Sequence, residues 1–347
     1  MDIRIYPLDL KYKRPFGISR WTRTQTQNVW VEVVHEGIVG WGEGAPNARY
    51  GEDQEGALAF LEQVQKELEY SPEQIPEWMA GIAVRYSGHY AARSALDMAL
   101  HDWLGKKLGI PLFRLLGYNQ AVGPLTSYTI GLDEPERMAM QAREASKHFS
   151  ILKIKVGTSR DKEIIRTIRQ VTEAPLRVDA NEGWQHVEEA LEAIHWMAEQ
   201  GVELVEQPLP AGRLQDMARL REQAPIPLIA DEDCHRLEDL PNLVGRYDGI
   251  NIKLDKSGGL LEARRMIGAA RALGLQVMVG CMIASSLAIT AAAHLALDAD
   301  YVDLDGHLWL RDDPFCGVIL EQGRIRVPEQ PGIGVTASRS VPTGTPE

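Results

Sequence analysis

The chain has 347 residues, 44% of them hydrophobic and 25% charged, and a formal net charge of −12. This is ordinary globular composition, and the length suits one large domain plus a smaller one, because single cores stop growing at about 250–300 residues. The acidic balance, with no basic cluster, argues against nucleic acid as a partner. The opening MDIRIYPLDLKYKRPF lacks the apolar core of a signal peptide. Cys234, Cys281 and Cys316 show no CxxC spacing, so a reduced, cytoplasmic protein is expected. Residues 275–297 carry no Asp, Glu, Lys or Arg and are long enough to span a bilayer. Gly280, Ser285, Ser286, Thr290 and His294 interrupt them, and the stretch reads as a buried strand followed by an Ala-rich helix. No membrane partner is expected, and a homo-oligomer is left open.

Residues 1 to about 45 read as strands, with 30–34 alternating into a His35-Glu36-Gly37 turn and 38–43 returning as a hairpin. Gly40-x-Gly42-x-x-Ala45 formally matches a dinucleotide fingerprint, but Pro46 and Asn47 stand where a helix should begin. Helical patterns fill about 53–70 and 90–108, the second stopped by Gly109-Ile110-Pro111. From about residue 124 short apolar strands alternate with amphipathic helices: 125–130, 151–156, 176–179, 202–206, 228–231, 250–253, 276–280 and 301–305. From the second strand onward they recur every ~22–26 residues, the length of a βα unit. Eight such units predict a (β/α)8-type barrel of the α/β class, with an α+β capping domain. The expected boundaries are a capping domain over 1–120, the barrel over 121–315, a return segment over 316–335 packing on the capping domain, and a loose tail over 336–347.

Catalytic groups of a barrel collect at the C-terminal ends of its strands. Lys153 and Lys155 share a face of the second strand, and a barrel strand is covered on both sides, so they are not a solvated edge pair. The next strands end in Asp179, Glu206 and Asp231, and the sixth in Lys253. Three carboxylates brought together require compensation, and an all-oxygen set suits Mg²⁺. None of the nine histidines joins the set with ligand spacing, which disfavours zinc. Asn181 and Glu232 adjoin these ligands and are expected to support them.

Strands two and six lie opposite each other in an eight-stranded barrel, so Lys155 and Lys253 should face each other across the mouth. A substrate carboxylate on the metal would place its α-carbon between them. One lysine removes the α-proton, the metal stabilises the enediolate, and the other lysine reprotonates the opposite face. A lysine of ordinary pKa ~10.4 needs roughly 4–5 kcal/mol to act as a base near neutrality. A like charge ~4 Å away supplies up to ~4 kcal/mol at an effective dielectric of 20, and Lys153 is placed to provide it.

Lys153-x-Lys155, Asp179, Glu206, Asp231 and Lys253, one motif per successive strand, resemble the muconate-lactonising branch of the enolase superfamily. The GWGE turn at 40–43, ARSALDMALHDWLGKKLGIPLFRLLG and PGIGV near the end are similar to that family's capping domain. Asp303-x-Asp305 in DLDGHLWL, with IKLDKSGG and GCM, resembles the dipeptide epimerases, including L-Ala-D/L-Glu epimerases. The resemblance implies one Mg²⁺ on Asp179, Glu206 and Asp231, bases at Lys155 and Lys253, and 1,1-proton transfer. It also implies that Asp303 and Asp305 hold a dipeptide's α-ammonium, a role their shared parity supports. Loops 16–23 and 47–53 are expected to close the pocket, with Arg20 facing an acidic substrate side chain, Arg23 and Arg49 competing for that role, and Tyr50 over the metal. Cys281, Met282 and Ile283, and beyond them Ala284, Ser285 and Ser286, are expected along the pocket, Cys281 as wall and not nucleophile. The same lysines and metal would serve an N-acylamino acid racemase, an o-succinylbenzoate synthase or a muconate cycloisomerase. The pathway, peptidoglycan recycling or general peptide catabolism, is left open.

Overall fold

The structure is a computed structural model that describes residues 1–67 and 70–338. Alternation over the first part of the chain produces an antiparallel sheet of β1 (Asp2–Ile18), β2 (Trp21–His35) and β3 (Ile38–Gly44), in that order. His35 pairs with Ile38, and Glu36 (φ 49) and Gly37 (φ 75) close the hairpin in the left-handed backbone that a two-residue turn demands. Three helices cover one face of this sheet: α1 (Gln54–Glu67), α2 (Ile75–Arg85) and α3 (Tyr90–Leu108). The predicted helix over 53–70 is described over Gln54–Glu67; residues 68 and 69 lie outside the described residues. The sequence reading passed over α2, although Ile75, Trp78 and Ile82 sit at helical spacing and are buried.

The glycines of the rejected dinucleotide fingerprint have a packing role. α3 lies directly on β3, and a Cβ at Gly42 would stand 1.9 Å from the Ala95 carbonyl oxygen; at Gly40 it would stand 2.1 Å from that of Ala99. Gly42→Val therefore has nowhere to go except by parting helix from strand. We expect it to cost about 3 kcal/mol or more, read as a fall in the urea midpoint.

The rest of the chain forms the barrel. β4 (Val122–Leu125) precedes eight parallel strands: β5 (Tyr128–Ile130), β6 (Leu152–Lys155), β7 (Leu176–Asp179), β8 (Val202–Glu206), β9 (Leu228–Ala230), β10 (Gly249–Ile252), β11 (Gln276–Gly280) and β12 (Tyr301–Asp303). They are hydrogen-bonded in sequence order, and a parallel bridge between Thr126 and Val302 joins the two ends. The outer helices are α4 (Pro135–Ala145), α5 (Asp161–Arg169), α6 (Val187–Glu199), α7 (Leu214–Gln223), α8 (Leu260–Ala272) and α9 (Ser286–Leu295). Two units depart from the repeat: a single turn, Leu240–Leu243, follows β9, and a 3₁₀ turn, Gly306–Trp309, follows β12. The uncharged stretch at 275–297 is β11 and α9, and among the described residues no helix is long and apolar enough to cross a membrane.

The predicted first strand over 125–130 is divided: β5 belongs to the barrel, whereas β4 pairs with the return segment. There β14 (Ile319–Glu321) and β15 (Arg324–Arg326) form a hairpin on β4, following β13 (Phe315–Cys316). The return segment also reaches the helical layer of the N-terminal region, where the Gly332 carbonyl accepts from Leu112 N (2.7 Å) and Ile333 N donates to Asp102 (2.7 Å). The expected loose tail begins too early at 336, because β16 (Thr336–Ala337) pairs with β13. Residues 339–347 lie outside the described residues.

Candidate active site

The alternation of β6 turns Lys153 and Lys155 to the barrel interior, while Leu152 and Ile154 join the apolar core. The parallel register sets Lys155 beside Asp179 and Asp179 beside Glu206, so each carboxylate is one strand along from the last. Lys155 Nζ donates to Asp179 Oδ2 (2.6 Å), and Lys253 Nζ donates to Asp231 Oδ2 (2.7 Å). β6 and β10 stand four places apart in the eight-strand order, which sets the two lysines on opposite sides of the mouth. Both ammonium-bearing residues keep 8% exposure and line a cavity under the N-terminal loops.

Lys153 is placed differently from its expected role. It is 1% exposed, and its ammonium lies 2.7 Å from Glu206, 2.8 Å from Asp303 and 3.1 Å from Asp179. Its charge is spent on three carboxylates, one of which it shares with Lys155. The reason is desolvation: an ammonium this deep persists only where carboxylates surround it. Burial acts against the charged forms of Lys153 and Lys253, but their carboxylate partners outweigh it and hold both well above the usual lysine range. Asp179 is held below the usual carboxylate range: burial raises it, but Lys155 and Lys153 prevail.

Asp303 and Asp305 both reach this cavity. Asp303 accepts from Ser127 Oγ (2.7 Å) and Lys153, and Asp305 accepts from Thr129 N (2.6 Å). Burial and then the charge of Asp303 push Asp305 up to about 7, and it makes no ion pair among the described residues. Burial, and then Asp179, likewise raise Glu206 to about 7.

These observations test whether a divalent cation suits the site. The donors are all oxygens, on three adjacent strand ends. Asn181 Oδ1 and Glu232 Oε2, both in the cavity wall, are buried without a hydrogen-bond partner among the described residues. Among the described residues no three acidic, His or Cys side chains already surround a common point, because lysines fill the space between the carboxylates. The residue types and their placement fit a hard cation.

The supporting residues divide. Asn181 N donates to Asp179 Oδ1 (2.9 Å), whereas Glu232 Oε1 accepts from Arg20 (2.8 Å). Arg20 lines the cavity, but its guanidinium is clamped by Glu232, Glu182 (2.6 Å) and the Asn181 carbonyl (2.7 Å). Arg49 is held by Glu182 through two hydrogen bonds (2.8 and 3.0 Å). Arg23 lies 4.3 Å over the Trp21 ring, lines the cavity and makes no ion pair among the described residues. Tyr50 stands edge-on to His235, and burial followed by the charge of Asp231 keeps its phenol protonated.

Cys281, Met282 and Ile283 line the cavity, and burial followed by Asp305 raises the Cys281 thiol well above its usual range, as befits a wall. Ala284, Ser285 and Ser286 do not line it. Ser285 caps α9 and donates through N (3.0 Å) and Oγ to buried Glu43 of the GWGE turn, and Ser286 bonds to Asp313. Glu43 thereby ties the N-terminal sheet to the loop after β11.

Four contributors were missed. Asn251, which donates to Glu206 Oε1 (2.9 Å), shares parity with Lys253 and could have been found; Thr129 on β5 shares parity with Ser127 just before it. Glu182, the anchor of both arginine loops, gave no sequence signal.

A barrel with two lysines opposed across its mouth, an oxygen-rich cation site and a roof of N-terminal loops defines a class: enzymes that move a proton at a carbon beside a carboxylate. The family described as "Mandelate racemase / muconate lactonizing enzyme, N-terminal domain" matches residues 2–117, and "Enolase C-terminal domain-like" matches 137–341. The chain belongs to the enolase superfamily. It is 41% identical to the L-Ala-D/L-Glu epimerase of Bacteroides thetaiotaomicron over 96% of this chain and 88% of that protein. A dipeptide epimerase from Cytophaga hutchinsonii, solved with Mg and D-Ala-L-Val, superposes with a TM-score of 0.92 at 32% identity, covering 97% of this chain and 96% of the other. The L-Ala-D/L-Glu epimerase from Bacillus subtilis, solved as a substrate-liganded complex, gives the same TM-score and identity over 97% and 98%.

Proposed function

We propose that this protein is an Mg²⁺-dependent dipeptide epimerase acting on L-Ala-L/D-Glu or a related dipeptide. The observation that carries the reading is the opposition of Lys155 and Lys253 across a cavity that also holds the Asp303/Asp305 pair. Asp179, Glu206 and Asp231 would hold the cation, which neutralises negative charge on the substrate's carboxylate. Lys155 and Lys253 are then the proton-carrying groups on the two faces of the α-carbon: one accepts its proton through Nζ, the other donates from Nζ on the opposite side. Asp305, raised to about 7 by burial and by the charge of Asp303, and Asp303 itself would receive the dipeptide's α-ammonium. That requirement separates the reading from an N-acylated or non-amino substrate. The three free cysteines support a reducing, cytoplasmic setting.

Incubation with dipeptides, Mg²⁺ and D₂O should exchange the α-hydrogen of the C-terminal residue; no exchange across a broad dipeptide library would sink the proposal.

For the acidic side chain of glutamate, Arg23 supersedes Arg20, whose guanidinium is already taken. Arg23→Ala is expected to lower kcat/KM for L-Ala-L-Glu about 10–100-fold, as the loss of a charge-assisted hydrogen bond does, while sparing L-Ala-L-Ala. Equal losses on both dipeptides would remove Arg23 from the role.

A further inference from the structure

Asp231 has two lysine partners of different kinds. Among the described residues the Lys253 ammonium pairs only with carboxylates, at 2.7 Å from Asp231 Oδ2 and 4.0 Å from Glu206. Lys256, on the single turn Leu254–Ser257 after β10, is almost wholly buried. Its ammonium reaches Asp231 Oδ1 (2.5 Å) and three main-chain carbonyls, those of Asp231 (2.6 Å), Cys234 (2.8 Å) and Asn251 (3.2 Å). Carbonyls from the loop after β9 and from β10 fix this ammonium as part of the fold, because releasing it would orphan them in the interior. Lys253 makes no such main-chain hydrogen bond among the described residues.

We infer that Lys256 is a positioning residue that keeps one oxygen of Asp231 engaged, so that Asp231 offers a bound cation a single oxygen and the site favours Mg²⁺ over Ca²⁺. The inference rests on the cation site proposed above. Mg²⁺ demands compact octahedral coordination, whereas Ca²⁺ takes six to eight oxygens and accepts bidentate carboxylates. Freeing Asp231 Oδ1 would add a ligand that only the larger ion can use. Loss of the Lys256 charge by itself attracts both divalent ions equally, so the ratio of their affinities isolates the coordination effect.

Calorimetric titration of the full chain with MgCl₂ and with CaCl₂, without substrate, tests this. Lys256→Met and Lys256→Gln are expected to shift the ratio of the two dissociation constants toward Ca²⁺ by about tenfold or more. A folded variant that keeps the wild-type ratio would overturn the inference while leaving the cation site standing. A wild-type chain that binds neither ion would overturn both. Should neither variant fold, wild-type crystals grown with Ca²⁺ decide: Asp231 bound through one oxygen, with Lys256 on the other, supports the inference, and bidentate Asp231 overturns it.

Discussion

Lys155→Ala and Lys253→Ala are each expected to abolish epimerisation, by at least ~10²–10⁴-fold, the contribution of a positioned acid or base. The two losses should differ in kind. Each lysine faces one side of the α-carbon, so a variant lacking one of them can still remove the proton of the epimer that presents its hydrogen to the other. In D₂O the Lys155→Ala enzyme should therefore wash deuterium into one stereoisomer only, and Lys253→Ala into the opposite one. NMR of the α-proton with each pure dipeptide epimer reads this directly. A Lys253→Ala enzyme that still interconverts epimers would remove Lys253 from the base role.

Lys153→Met should be the most damaging substitution for the fold. If Lys153 served only to tune Lys155, its loss would shift the pH dependence of turnover and leave stability alone. Its ammonium instead lies within 3.1 Å of Asp179, Glu206 and Asp303 at 1% exposure. Removing one partner of such a buried cluster leaves uncompensated charge and costs about 3–5 kcal/mol. We expect a matching fall in the urea midpoint, together with loss of activity at saturating Mg²⁺. An unchanged midpoint with a displaced pH profile would restore the tuning role.

The main parts of the candidate site were legible because a barrel imposes two regularities: side chains alternate along a strand, and strand ends meet at one mouth. Lys153-x-Lys155, Asp179, Glu206, Asp231 and Lys253 obey both. Asn251 obeys them too, and only its neutrality kept it from notice. Lys256 obeys neither, since it leaves the strand for a helical turn before coming back to Asp231. The capping loops were legible only as loops. Which arginine is free depends on Glu182 and Glu232, which belong to other segments of the chain and carry no pattern pointing back to Arg20 or Arg49.

By itself the sequence determined the barrel, its capping sheet and the chemistry at the strand ends, because periodicity is local and the register of a parallel barrel follows from strand order. It also separated β11 and α9 from a membrane span. Tertiary structure alone decided how charge is shared: Lys153 became the common cation of three carboxylates, Arg20 was clamped by Glu182 and Glu232, and Ser285 turned away to Glu43. Those outcomes come from desolvation, which makes every buried charge find a partner in space, wherever along the chain that partner lies.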